Sequence, residues 1–195
     1  MGYLPAAGER YTVRRKLFQV FGAGFQVYGS DGAMVGYCRQ KAFRLREDLR
    51  VFTGQDQKDE LMRIAARSII DFSTTYDVLL PDGAALGSLR RRGMRSILRD
   101  TWELFDAAGN PIAKLEERGT FLSVLRRLHE LFALLSPQRF DITKPDGTRV
   151  ASLRQHFNVF VYRLGVSIHA EDDQIDDLLI LAAGILIAAI EGRQQ

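Results

Sequence analysis

The sequence predicts a single, mainly β domain in which antiparallel hairpins close on one another around an apolar C-terminal helix. Two observations predict this class: a hairpin motif recurs four times, and an apolar run of 13 residues precedes the last few positions. The 195 residues are enough for one full hydrophobic core, and two separate cores would be crowded. We therefore predict an N-terminal tail over residues 1–9 and one domain over residues 10–195.

Each copy of the hairpin motif has an Asp-Gly or Gly-Asn pair between two stretches of alternating apolar and polar residues. The copies run from Tyr28 to Gly36, Tyr76 to Leu89, Trp102 to Leu115, and Phe140 to Leu153. Such pairs tolerate the positive φ angles of a two-residue type I′ turn, so we predict that turn in each copy. Four hairpins cannot each bury a face alone and are expected to close on one another. In the second copy, the residues predicted to face the common interior are Val78, Leu80, Leu86 and Leu89.

Further strands are predicted between the hairpins from their β-branched and aromatic residues. They span Tyr11–Val20, Phe43–Phe52, Leu61–Ala66 and Phe157–Ile168. One stretch, Gly119–Pro137, has apolar residues at helical spacing and Arg126, Arg127, His129 and Glu130 on the opposite side. It predicts a short inserted amphipathic helix, which either covers an end or edge of the barrel or lies on a lipid surface.

The apolar run Leu178–Ile190 is too short for a bilayer span, which needs roughly 20 residues. Because it is apolar on every side, the helix it forms must be surrounded by the rest of the fold. We predict no transmembrane span. The acidic residues before the run are Glu171, Asp172, Asp173, Asp176 and Asp177. They are interpreted as caps of the helix N-terminus rather than as a cation site, since the pattern of an EF-hand loop is missing.

Composition and motifs argue against several function classes. The single cysteine, Cys38, excludes an internal disulfide and a cysteine-based metal cluster, and a buried apolar role is predicted for it. The sequence contains no Walker loop, no G-x-S-x-G elbow and no H-E-x-x-H motif, and His129, His156 and His169 are scattered. We predict a non-enzymatic protein with no catalytic residue, cofactor or metal. The N-terminus lacks the features of a secretory signal, so a cytoplasmic protein is expected.

The order of these pieces resembles the LURP-one-related family, which is kin to phospholipid scramblases and the Tubby C-terminal domain. The resemblance rests on the repeated hairpins, the segment Lys41–Asp48, the stretch Ser96–Trp102 and the acidic residues before the final helix. It covers about residues 10–192 and implies a barrel of about 12 antiparallel strands closed around a central C-terminal helix. Tubby domains bind phosphoinositide headgroups through basic residues. The Pro-rich tail and Cys-rich patch of scramblases are missing here, which argues against scramblase activity and acyl anchoring.

Arginine dominates the basic residues, with 22 of the 27 Lys and Arg positions, and the formal net charge is +3. Since the guanidinium group binds phosphate in a bidentate way, we predict an anion-binding surface from two stretches of the chain. Its residues are Lys41, Arg44, Arg46, Arg90, Arg91, Arg92, Arg95 and Arg99. The expected partner is an anionic lipid headgroup at a membrane surface, or another phosphorylated ligand. The alternatives are a nucleic-acid or protein-interaction scaffold, lipid scrambling, and simple solvation of exposed strand faces.

Overall fold

A computed structural model of the chain describes residues 5–16, 23–40, 48–70, 73–92, 101–118, 138–156, 161–169 and 172–191. These residues form twelve strands and one helix. The strands are β1 (Tyr11–Lys16), β2 (Ala23–Gly29), β3 (Met34–Gln40), β4 (Leu49–Phe52), β5 (Glu60–Ile70), β6 (Ser73–Leu79), β7 (Ala85–Arg91), β8 (Thr101–Phe105), β9 (Pro111–Glu117), β10 (Arg139–Thr143), β11 (Arg149–His156) and β12 (Val161–Ile168). The helix is α1 (Asp177–Glu191).

Every strand pairs antiparallel with its neighbours in sequence, and the sheet closes on itself. The closing pair joins β1 to β12, in register from Tyr11 opposite Val166 to Lys16 opposite Val161. Closure leaves no open sheet edge along which another chain could pair. The predicted antiparallel barrel of about 12 strands is therefore confirmed.

Helix α1 occupies the interior of this barrel. It contacts β1 and β12 on one wall and β7, which lies six strands away around the sheet, on the opposite wall. Every side chain from Leu179 to Ile190 is buried. Gly184 faces Val166, Leu153 and Val13 so closely that a larger residue would press on the wall.

The acidic segment before α1 fixes the start of the helix. The Leu178 N–H donates a hydrogen bond of 2.7 Å to Asp176 Oδ1, which is the cap predicted for this position. Asp172 accepts hydrogen bonds from Lys144 Nζ at 2.8 Å and from the Gln174 N–H at 2.9 Å. These bonds hold the pKa of Asp172 below its usual range, and the hydrogen bond from Lys144 has the largest effect. Glu171 lies outside the described residues.

The turn type predicted for the four hairpins is wrong. Each loop has three residues rather than two: in the second copy, the Leu80 N–H bonds to the Ala84 carbonyl at 2.8 Å and the Gly83 N–H to the Leu80 carbonyl at 2.9 Å. Only the glycine has a positive φ, +88° at Gly83, and the strand register shifts by one residue beside each loop. This is a type I turn closed by a glycine bulge, which leaves the aspartate in an ordinary right-handed conformation.

In three of these turns the aspartate before the glycine also accepts a hydrogen bond from the backbone N–H two residues further on. The pairs are Asp31–Ala33, Asp82–Ala84 and Asp146–Thr148, at 2.9, 2.9 and 2.8 Å. The side chain therefore stabilises the loop directly, as turn-forming aspartates commonly do.

The other strand predictions are confirmed where the structure describes them. Strands β1, β4 and β12 lie within the predicted strands Tyr11–Val20, Phe43–Phe52 and Phe157–Ile168, respectively. The predicted strand Leu61–Ala66 is too short, since β5 continues to Ile70. Of the four interior residues predicted in the second hairpin, Val78 and Leu89 are buried. Leu80 and Leu86 are only half-buried, because they flank the bulged loop where the alternation breaks. The predicted amphipathic helix Gly119–Pro137 lies outside the described residues.

If the helix holds the barrel together, a charge at its centre should abolish the fold. We expect Ile185→Asp, which places a carboxylate where the native side chain is fully buried, to cost more than about 4 kcal/mol. Thermal unfolding followed by circular dichroism should lose its cooperative transition. The control is Ala107→Asp on an exposed turn, which should melt close to the wild-type temperature. A cooperative, near-wild-type transition for Ile185→Asp would contradict the central role of α1.

Candidate anion-binding site

The three consecutive arginines at the end of β7 do not share one surface. Arg91 pairs with the buried Trp102 of β8, and its guanidinium carbon lies 6.0 Å from the centre of the indole ring, on the inner side of the wall. Because side chains alternate along a strand, Arg90 and Arg92 point to the outer side. There the guanidinium carbon of Arg90 lies 4.7 Å from the centre of the Phe105 ring. The predicted Arg90–Arg92 cluster is thus divided between the two faces of the sheet.

Glu103 on β8 binds both outward-facing arginines. Its Oε2 accepts hydrogen bonds from Arg90 Nε at 3.2 Å and from an Arg90 terminal nitrogen at 2.7 Å. Its Oε1 lies 2.7 Å from a terminal nitrogen of Arg92. Burial alone would raise the pKa of Glu103, which is 7% exposed, but the hydrogen bonds and charges of the two arginines outweigh it and lower the pKa. One carboxylate between two guanidinium groups leaves one net positive charge.

A cavity of about 320 Å³ lies on the outer wall beside this cluster, between β5, β6, β7 and the loop after β8. Arg90 and Phe105 form one side of it, and the bidentate ion pair between Arg67 and Asp77 forms the other. Ser88, which is 6% exposed, contributes a hydroxyl to the lining. Because each arginine of this groove already faces a carboxylate, the groove has little net charge to attract an anion.

The two predicted basic stretches follow strands that run towards the same end of the barrel. The chain leaves β3 at Gln40 and β7 at Arg91, and both strands run towards the end opposite the four Asp-Gly or Gly-Asn loops. They are four strands apart in the sheet, which corresponds to about 19 Å along the wall. Five predicted residues of the site, Lys41, Arg44, Arg46, Arg95 and Arg99, lie outside the described residues. We call this end of the barrel the basic end.

The opposite end of the barrel is acidic, and we call it the aspartate end. It comprises the hairpin loops 29–33, 53–59, 80–84, 106–110 and 144–148, together with residues 172–177 before the helix. Its aspartates are Asp31, Asp56, Asp59, Asp82, Asp106, Asp146, Asp172, Asp173, Asp176 and Asp177. The only bases in these ranges, Lys58 and Lys144, each form an ion pair with an aspartate. Negative charge is therefore concentrated at this end of the barrel.

A further polar cluster, which the sequence did not indicate, lies on the outer wall where β11, β12 and β1 meet. Glu9 folds back onto β12, and its carboxylate lies directly over the Cα of Gly165. It accepts a hydrogen bond from Thr12 Oγ1 at 2.9 Å and contacts His156 Nε2 on β11. Since 147 residues separate Glu9 from His156, no local pattern could have revealed this contact.

The family profile of LURP-one-related proteins matches residues 35–188 of the chain. The chain belongs to the LURP-one-related family. A comparison with curated proteins finds no match. The match begins at Val35, in β3, and extends into α1, so it includes the last ten strands in whole or in part and most of the interior helix. The resemblance inferred from the order of the sequence motifs is therefore confirmed.

Among the described residues of this LURP-one-related domain, no group of three or more His, Cys, Asp or Glu side chains is arranged to hold a metal ion. In the same part of the chain, no helix has both the length and the apolar character needed to cross a bilayer. His169 hydrogen-bonds to Ser152 Oγ, and His129 lies outside the described residues. Cys38 is fully buried in β3, as predicted, and burial raises the pKa of its thiol to about 12.

The buried thiol of Cys38 should be chemically silent in the native protein. Because the thiolate is the reactive species and its formation is suppressed by burial, a disulfide reagent such as Ellman's reagent should react only as fast as the protein opens. The measurement compares the reaction rate in native buffer with that in denaturant, where the single cysteine should react fully. Rapid reaction in native buffer would show that this part of β3 is accessible.

The pairing of Glu103 with two arginines should make stability depend on pH. The pKa of Glu103 is depressed, so its stabilising contribution is complete above the pKa of an unfolded glutamate, about 4.3, and is lost as the pH falls through the lower folded-state value. The difference in unfolding free energy between wild type and Glu103→Gln should therefore shrink as urea titrations move from neutral pH towards acid. The exposed Glu116→Gln serves as the control and should show little change. A pH-independent difference would mean that the charge of Glu103 contributes nothing.

Proposed function

We propose that this domain is a non-enzymatic module that binds anionic phospholipid headgroups through its basic end and works peripherally at a membrane surface. The proposal rests on a separation of charge relative to the direction of the strands. The aspartates of the described loops are gathered at one end of the barrel, while β3 and β7, which precede the basic stretches 41–47 and 93–100, run towards the other.

Distance makes this separation effective. A seven-residue strand such as β7 spans about 23 Å, and the Debye length in physiological salt is about 8 Å. Repulsion between the aspartate end and an anionic surface is therefore largely screened when the basic end faces that surface. Such a charge distribution favours one orientation of approach although the net charge is only +3.

The described part of the basic end adds a local feature to this long-range argument. The Glu103 carboxylate binds the guanidinium groups of both Arg90 and Arg92. Because the two side chains are already restrained, each loses less conformational entropy when a ligand binds. A guanidinium group has five N–H donors, so donors remain for a phosphate oxygen. The inward-facing Arg91 is not expected to take part, since it lies against Trp102.

The position of the apolar helix supports a binding role over lipid scrambling. Leu179 to Ile190 are buried against the barrel walls, and the helix would have to leave the barrel to contact lipid tails. That change would expose the apolar inner face of every strand to water, which is strongly unfavourable. Binding through charged residues at one end leaves the core unchanged.

The proposal predicts that neutral substitutions in the stretch after β3 weaken vesicle binding. We expect wild-type protein to float with phosphatidylcholine vesicles that contain phosphatidylserine, and to be released as NaCl is raised. The triple variant Lys41→Gln, Arg44→Gln, Arg46→Gln should bind about 100-fold more weakly, because each basic residue near an anionic surface contributes about 1 kcal/mol. Flotation across a range of lipid concentrations gives the change in affinity.

A matched triple variant controls for net charge. Its substitutions, in the described wall and the aspartate end, are Lys58→Gln, Lys114→Gln and Arg149→Gln. This variant loses the same number of positive charges and should bind vesicles nearly as well as wild type. Equal losses in the two triple variants would exclude an oriented basic end. Tighter, salt-sensitive binding to a single-stranded oligonucleotide than to anionic vesicles would favour a nucleic-acid scaffold instead.

A further inference from the structure

We propose that the outer wall around Gly165 is a second, separate anion site, built for the phosphate group of a ligand, and that the protein's own Glu9 occupies it as an internal anion. The site lies on β1, β12, β11 and β10, away from the β7–β8 cluster, and its argument does not depend on vesicle binding.

Strand register defines the surroundings of Gly165. Its cross-strand neighbours are Thr12 on β1 and Arg154 on β11. Along β12, the outward residues before and after it are Arg163 and Ser167, because side chains alternate between the faces. His156 lies opposite Arg163. Within these strands, Gly165 is therefore surrounded by hydroxyl, guanidinium and imidazole groups, and no acidic residue is adjacent to it.

The floor of the site has the shape of an anion cradle. Any Cβ at position 165 would overlap the carboxylate of Glu9, so the close approach of the anion to the backbone requires glycine. The carboxylate is held by the Thr12 hydroxyl at 2.9 Å, by the Ala6 N–H at 3.3 Å and by His156 Nε2. Glu9 is only 7% exposed, which is unusual for a glutamate and shows that these groups replace its hydration.

Two carboxylates, those of Glu9 and of Asp141 on β10, do not balance the formal positive charge at the outward positions of β10, β11 and β12, which include Arg139, Arg149, Arg154 and Arg163. Arg154 and Arg139 are exposed and lie directly opposite each other on β11 and β10. Like charges in directly opposite positions destabilise a sheet unless an anion lies between them. Arg154 forms no hydrogen bond or ion pair with another described residue. The surplus of guanidinium groups therefore favours a phosphate, with its greater charge and larger number of oxygens, over a simple carboxylate.

The segment that carries Glu9 lies on the outside of the barrel, and residues 6–8 and 10 are exposed. Its contacts with the barrel include the Glu9 carboxylate, the Arg10 N–H, which donates to the Val166 carbonyl at 2.8 Å, and the Arg10–Asp177 ion pair at 3.6 Å. Both side chains of that ion pair are partly exposed, at 57% and 35%, so it contributes little. A phosphate that displaced Glu9 would free this segment without disturbing the strand pairing that begins at Tyr11.

Removing the internal anion tests the site directly. Glu9→Ala opens the cradle, and we expect its melting temperature to be lower than that of wild type. Added sodium phosphate should then raise the melting temperature of the variant in a saturable way, by about 2–4 °C beyond its effect on wild type and beyond NaCl of equal ionic strength. Sodium acetate, as the matching carboxylate, should give a smaller rise. The further substitution Arg154→Gln should weaken the effect of phosphate.

Two controls keep the outcome decisive. Glu116→Ala removes an exposed glutamate from β9 and should respond to phosphate as wild type does. If Glu9→Ala does not fold, Glu9→Gln keeps the side-chain size, and the imidazole signals of His156 in a nitrogen-15 NMR titration with phosphate should shift more in this variant than in wild type. Equal responses of variant and wild type would overturn the site and leave Glu9 as a structural tie. Rescue by acetate but not by phosphate would overturn the assignment to a phosphorylated ligand.

Discussion

The structure depends on the mutual burial of one apolar helix and the closed sheet around it. Between Leu178 and Ile190, helix α1 has no polar side chain that could face water, and the inward apolar side chains of the described strands are buried with it in one core. Contact with β1 and β12 on one wall and with β7 on the opposite wall lets the helix fill the barrel across its width. Since both partners bury apolar surface in the same step, the barrel and its helix are expected to form one cooperative unit.

The closure of an even number of antiparallel strands has an electrostatic consequence. With each strand paired to its sequence neighbours, successive connections alternate between the two ends of the barrel, and the four Asp-Gly or Gly-Asn loops all lie at one end. The loops favour aspartate because its carboxylate accepts a backbone hydrogen bond beside the bulge glycine. The requirements of the turns therefore collect negative charge at one end, and this arrangement frees the other end to be basic.

Two surfaces with arginines differ in how their charge is balanced. On β7 and β8 the carboxylate of Glu103 belongs to the wall itself and lies between Arg90 and Arg92, so it is a fixed part of the sheet. On β11 and β12 the balancing carboxylate, Glu9, comes from outside the sheet and lies over a glycine. The first arrangement positions arginines, whereas in the second a carboxylate from a separate segment occupies the space above a glycine of the wall. This difference separates the two sites physically, although both involve guanidinium groups.

The sequence by itself determined the class of the fold. Alternation in four hairpins and the all-round apolar run Leu178–Ile190 are local patterns with few solutions, and both led to a barrel around a helix. It also identified the buried Cys38 and the cap at Asp176, since these follow from neighbouring residues. It failed on the turn type, because Asp-Gly fits both a two-residue turn and a bulged loop, and only the strand register decides between them.

Only the tertiary structure decided which charged residues meet. Sequence proximity grouped Arg90, Arg91 and Arg92, but the alternation of the strand places the middle one inside, against Trp102. The partners of the other two, and the contact of Glu9 with His156 across most of the chain, depend on which strands become neighbours when the sheet closes. Closure is a property of the whole chain, so no window of sequence carries this information.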